Sequence, residues 1–220
     1  MDDNINRIVV ALVTSFIPMI FSLGIHEWGH ARVAVALGDE TPREEGRLTL
    51  NPVAHIHPVG TLMLPLALLL AHIPVFGWAR PVNVTPRRFT RRIRMTTGIV
   101  LTWAAGPIMN LLIALTMALV LAGTSHFGTP LTLENREILG RIELMNAMLF
   151  VFNLLPVPPL DGSHVLAVML PTGVRDWYAQ LSRFSGVFIA LLLVLGGEVV
   201  LAPSVAVSRG LNQVARACFP

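Results

Sequence analysis

The sequence predicts an all-α polytopic membrane protein, with about four transmembrane helices plus a re-entrant or interfacial hairpin. Three observations carry that expectation. Of 220 residues, 54% are hydrophobic and 13% are charged, against about 25% charged in a soluble domain. The apolar residues gather into uncharged runs long enough to cross a bilayer, which takes about 20 residues per helix. One connection, Arg80 to Arg94, holds six arginines and no acid, as cytoplasmic loops of membrane proteins do. This composition excludes a disordered chain, which would be poor in apolar residues. The single cysteine, Cys218, excludes a disulfide framework and a four-cysteine zinc site. Residues 1–220 are read as one domain.

The first expected span covers residues 8–37. It is uncharged from Ile8 to Ile25, too long for a signal peptide, and no small-residue cleavage site follows its apolar part. The second, 98–121, lies inside a stretch without Asp, Glu, Lys or Arg from Met95 to Leu133. The third, 144–160, is uncharged and ends among Pro156, Pro158 and Pro159, which stop a helix. The fourth, 184–202, is apolar apart from Glu198. A further apolar stretch, 58–78, is interrupted by Gly60, Pro65, His72, Pro74 and Gly77. It is read as the hairpin, with a true span as the competing possibility.

Charge then orients the chain. If 58–78 does not cross, the loops around residues 38–57 and 80–94 share the cytoplasmic side. Ten arginines then lie inside and five outside the membrane, as the positive-inside rule requires. Both termini are then outside. Arginine clusters also neutralise nucleic-acid phosphates, but a basic loop flanked by apolar runs reads as a topology determinant beside anionic lipid. No nucleic-acid partner is expected.

Ionisable side chains within a membrane are costly and mark function. Here they cluster. His26, Glu27 and His30 form the run HEWGH at the end of the first apolar helix. Residues four apart share a helix face, so His26 and His30 can hold one metal ion. Glu27, about 100° round the helix, can reach water at that metal. This is the zinc-hydrolase pattern, with Glu as general base. A catalytic zinc needs a third protein ligand, and Asp161, alone after the third span, is the leading candidate. The competing reading makes Asp161 the N-cap of the helix that follows.

HEWGH, then Ala105-Gly106-Pro107-Ile108-Met109-Asn110, then Asn153-Leu154-Leu155-Pro156 and Leu160-Asp161-Gly162 resemble the site-2 protease family of intramembrane zinc metalloproteases. The resemblance runs from about Ile8 to Val165. It is nearest to the compact bacterial branch without a PDZ or CBS domain. Asn51-Pro52, His55-Ile56-His57-Pro58 and Gly77-Trp78-Ala79-Arg80-Pro81-Val82 resemble that branch's linker motifs, with His57 where the branch commonly has Asp. The resemblance implies Zn2+ held by His26, His30 and Asp161, and Glu27 as the catalytic base. It also implies that Asn110 and Asn153 hold the unwound substrate or its oxyanion. Read from the residues alone, these asparagines are either substrate contacts or interhelical hydrogen bonds.

The implied function is hydrolysis of peptide bonds within or near transmembrane segments of membrane-protein substrates. It takes place in the cell (cytoplasmic) membrane, with the site toward the cytoplasm. The hairpin is expected to offer a strand edge to the unwound substrate. A proton- or metal-ion transporter using the same His/Glu/Asp cluster, and a non-catalytic pseudoprotease, are the alternatives. His55 and His57 read as loop histidines rather than a second metal pair. His164 is placed near the site, behind the ligands.

Overall fold

A computed structural model describes residues 9–10, 12–71, 76–129, 131–195 and 197–219, and everything described is helix, turn or loop. A π-helical stretch, Leu12–Phe16, leads into α1, Ile17–Ala36. A π-helical turn, Pro58–Met63, leads into the short helix α2, Leu64–Leu70. There follow α3, Met95–His126, α4, Leu133–Leu154, and α5, Asp161–Met169. The chain ends in α6, Thr172–Gln180, α7, Ser185–Leu195, and α8, Gly197–Ala217. The central helix is α3, which packs against α1, α4, α5 and α8.

Small residues on α3 let its neighbours approach. Ala105, Ala114 and Ala118 are buried, while Leu101, Ile108, Leu112 and Val120 stand exposed on its outside. An apolar face turned outward suits a helix that meets lipid. On α1, a Cβ at Gly29 would lie 2.7 Å from Met109 Cγ and 3.0 Å from the Ala105 carbonyl oxygen. The glycine therefore sets the close crossing of α1 and α3.

Residues 58–78 fold back on themselves. Trp78 N–H donates to the Gly60 carbonyl at 3.1 Å, and Thr61 Oγ1 donates to the Trp78 carbonyl at 2.7 Å. Gly60 is required here, because a Cβ would collide with the Trp78 indole. The outgoing arm is helical, so any extended edge belongs to the return arm after residue 76. His72 and Pro74 lie outside the described residues, as do residues 8 and 11 of the first expected span.

The loops on either side of this hairpin are joined to each other. Asp39 is buried and accepts from Thr85 N–H at 2.5 Å and from Thr41 N–H and Oγ1. Arg88 pairs with Glu44 at 2.9 Å, Asn83 donates to Glu45, and Arg80 N–H donates to the His55 carbonyl. The connections before and after the hairpin thus share one end of the bundle.

The helices depart from the expected spans for physical reasons. Among the described residues, α3 is the one helix both long and apolar enough to cross a membrane. The pair Thr172–Leu192 and Gly197–Ala217 qualifies only together, bent by 76°. α1 falls short because His26, Glu27, His30 and Arg32 lie inside it. α4 begins eleven residues before 144 and takes in Glu134, Arg136, Glu137, Arg141 and Glu143; it stops at Leu154, ahead of the prolines. Charge does not stop a helix, whereas proline does. The last expected span, 184–202, is divided between α7 and α8, and α8 runs on to Ala217.

Candidate metal centre

Two elements deliver the site. α1 carries His26 and His30 one turn apart on the face turned toward α3. α5 begins at Asp161, which reaches both imidazoles from the far side. Gly162 makes that placement possible, since a Cβ there would lie 2.5–2.6 Å from the Leu154 carbonyl carbon and the Leu155 carbonyl oxygen. The loop ahead of α5 is held by Tyr178, whose hydroxyl donates to the Pro156 carbonyl at 2.7 Å. Arg175 closes the other end of α5, donating to the carbonyls of Ala167, Val168 and Leu170.

The three side chains meet tightly and out of water. His26, His30 and Asp161 are 5%, 2% and 6% exposed. The two Nε2 atoms are 3.0 Å apart, and Asp161 Oδ2 lies 3.1 Å from one and 3.3 Å from the other. Each imidazole is fixed from behind. His26 Nδ1 lies 2.6 Å from Asn110 Oδ1, and His30 Nδ1 lies 2.7 Å from the Thr102 carbonyl oxygen. An Asn oxygen and a carbonyl oxygen are acceptors only, so both Nδ1 atoms carry the proton. In the neutral imidazoles both Nε2 lone pairs then point into the same small space as the carboxylate oxygen.

Three facing lone pairs repel one another unless a positive charge, a proton or a metal ion, sits among them, and Asp161 Oδ2 has no hydrogen-bond partner within the described residues. A cation resolves both problems. Four tetrahedral ligands at about 2.0–2.1 Å from zinc are about 3.3 Å apart, close to the triangle observed. Asp161 makes no capping bond, Leu160 being the residue ahead of α5; the carboxylate faces the two histidines instead.

Glu27 is half-buried beside this group but not part of it. Its Oε2 accepts from the Val82 backbone N–H at 2.9 Å, so the return arm of the hairpin holds the carboxylate. Asn110 is fully buried with its amide spent inside the protein. Its Nδ2 donates to Asn146 Oδ1 at 3.0 Å, and Asn146 Nδ2 donates to Ser22 Oγ at 3.0 Å. Asn110 therefore faces His26, where the resemblance implied the substrate. Asn153 is half-buried, and its Nδ2 donates to the Leu149 carbonyl in its own helix.

Other histidines take separate places. His164 stacks on Trp103 at 3.9 Å, and Trp103 in turn lies 5.2 Å from the His30 ring. His55 is buried, with Nε2 on the Thr49 carbonyl, and His57 Nδ1 accepts from Gly60 N–H; they do not form a pair. Asn146 and Gly106 were not marked by sequence reasoning as site residues. The signal for Asn146 was an amide in the uncharged run 144–160.

The Asn110 contact makes a prediction. Groups behind a metal-bound histidine are each worth about 10–100-fold in metal affinity. Asn110→Ala should weaken zinc binding by about that factor in competition with a chelator. Asn110→Asp, which keeps the acceptor, should lose much less.

Comparison with known proteins gives the same direction. The model of "Peptidase family M50" matches residues 132–195, a stretch that includes Asp161. The Bacillus subtilis protein named "Putative zinc metalloprotease YwhC" is 37% identical over 199 residues, 88% of this chain and 86% of its own length. The proteins named "Putative zinc metalloprotease Rip2" of Mycolicibacterium smegmatis and Mycobacterium tuberculosis H37Rv are 30% and 31% identical. Each is matched over 176 residues, 80% of this chain and 64% of theirs. No solved structure matches the chain.

Proposed function

Because this chain belongs to peptidase family M50, the site-2 protease family of zinc metalloproteases, we propose that it cuts membrane proteins within or beside a transmembrane segment. The observation that carries this reading is the buried triangle of His26, His30 and Asp161, whose three donor atoms would hold zinc as the protein ligands of a catalytic site. Bound zinc supplies Lewis-acid polarisation of the scissile carbonyl and brings the pKa of a water toward about 7.

The chain's own residues do the rest. Asn110 and the Thr102 carbonyl fix the tautomer and orientation of the two imidazoles. Glu27 Oε1 takes the proton from the attacking water and returns it to the departing nitrogen, while Val82 N–H steadies Oε2. Asn153, whose Oδ1 has no partner among the described residues, is the group we assign to the substrate backbone. Asn110 acts on the substrate only through His26.

A substrate helix hides its carbonyls in its own hydrogen bonds, so it must unwind before attack. Single-span substrates carrying Gly, Pro or Asn inside the span should therefore be cut faster than the same spans made all-leucine. Reconstituted with purified protein, the products mapped by mass spectrometry should end inside or beside the span. Cleavage confined to soluble peptides would overturn the reading.

We further propose four crossings, with 58–78 entering and leaving on the cytoplasmic side, the side nearer the metal site. The joined loops on either side of the hairpin support this arrangement. It puts the exposed Cys218 outside the cell membrane. A membrane-impermeant maleimide should label Cys218 in intact spheroplasts as fully as in lysed ones. Labelling only after lysis would invert the topology.

A further inference from the structure

A second built feature lies at the other end of α3. From Asn110, beside the metal site, to Ser125 the helix advances about 22 Å. There a cleft of about 640 Å³ opens between the last turn of α3, the first turns of α4 and the last turns of α8. Arg136 and Arg216 line it together with His126. A contiguous recess of about 380 Å³ adds Arg209, seven residues before Arg216 and so on the same face of α8.

The charge there is unspent. Among the described residues no carboxylate pairs with Arg136, Arg209 or Arg216, whereas Arg141 pairs with Glu137 at 3.5 Å. Arg136 makes one long contact, 3.4 Å to Ser125 Oγ. The nearby carboxylate, Glu143, is buried and occupied by Ser208 and Asn212, both at 2.7 Å. Asn212 spends its N–H groups on Glu143 and the Ser208 carbonyl. The donors facing the cleft are therefore guanidinium and imidazole groups.

The other wall is apolar. Phe219 lies over Gly123, where an added Cβ would stand 3.3 Å from its Cζ, and its ring is 5.8 Å from the His126 and Phe127 rings. Beyond it runs the exposed apolar face of α3, with Val120 and Leu112. The arginine-rich loop of residues 80–94 leads into the opposite end of α3, so these arginines are a separate cluster.

We propose that this cleft binds a phosphate group, that of an anionic phospholipid whose acyl chains lie along α3. Guanidinium forks match phosphate oxygens bidentately. The end of a spanning helix sits at headgroup depth, and the apolar wall continues from that depth into the hydrocarbon.

The test is native mass spectrometry of the detergent-purified full chain with phosphatidylglycerol or phosphatidylcholine, beside thermal unfolding with inorganic phosphate. Phosphatidylglycerol should remain as a one-to-one adduct at least about tenfold more than phosphatidylcholine, a difference of about 1.4 kcal/mol. Arg136→Gln with Arg216→Gln should abolish that preference while zinc per chain stays unchanged. Arg141→Gln, outside the cleft, should keep it. Stabilisation by inorganic phosphate equal to that by phosphatidylglycerol, and lost in the double variant, would keep the anion site and assign it to a soluble phosphate. A double variant that retains phosphatidylglycerol as the wild type does, or an equal loss in Arg141→Gln, overturns the proposal.

Discussion

Glu27→Gln should retain about one zinc per chain and lose cleavage by about 10²–10⁴-fold, the usual contribution of a general base. Glutamine keeps the shape of the side chain, and its amide oxygen can still accept from Val82 N–H at the position of Oε2. What it cannot do is take a proton from water. The three donor atoms of the metal centre come from other residues, so the metal should be untouched. Asp161→Ala gives the opposite pairing. It removes one of the three proposed ligands and leaves two imidazoles with nothing facing them, so zinc should fall well below one per chain. Activity then falls with the metal. The two variants, assayed for zinc by atomic absorption and for cleavage of one reconstituted substrate, separate base from ligand. A Glu27→Gln protein that still turns over at the wild-type rate would remove the carboxylate from the mechanism. An Asp161→Ala protein with full zinc would move the third ligand elsewhere.

How much of this was legible in the sequence follows from the range of the interactions. His26 and His30 are readable because one turn of helix relates them, and Asp161 because it is the lone acid after a proline-rich stop. The partners that make them a site are not local. Asn110 meets His26 across 84 residues and Asn146 across 36, and no spacing rule announces such contacts. The same holds for Trp103, whose stack with His164 ties α5 to α3. Span boundaries fail where function and hydropathy conflict. The polar residues of α1, His26, Glu27, His30 and Arg32, lower its apolarity, and α4 carries five charged residues ahead of its uncharged stretch. The hairpin was legible as an interruption, from its prolines and glycines. Its helical outgoing arm was not, because Pro65 stands in the first turn of α2, where proline is tolerated.

Gly106→Ala should cost the protein its metal. A Cβ at residue 106 would stand 2.6 Å from His26 Nε2 and still closer to His30 Nε2, far inside carbon–nitrogen contact. The imidazoles cannot retreat, because their Nδ1 atoms are tied to Asn110 and Thr102 on the same helix. Either α3 moves off α1, against the close crossing at Gly29, or the rings turn and the ligand triangle opens. Both outcomes cost the metal, so zinc per chain and cleavage should fall together, cleavage by at least about 10²-fold if the ligands shift by an ångström. Helix propensity argues the other way, since alanine favours an α-helix over glycine by about 1 kcal/mol. Gly140→Ala in α4 isolates that term: a Cβ there meets nothing within 4 Å, and the variant should be neutral or slightly stabilised with full zinc. If Gly106→Ala instead behaved like Gly140→Ala, the imidazoles would have to lie farther from α3 than described, and the metal centre built on them would have to be redrawn.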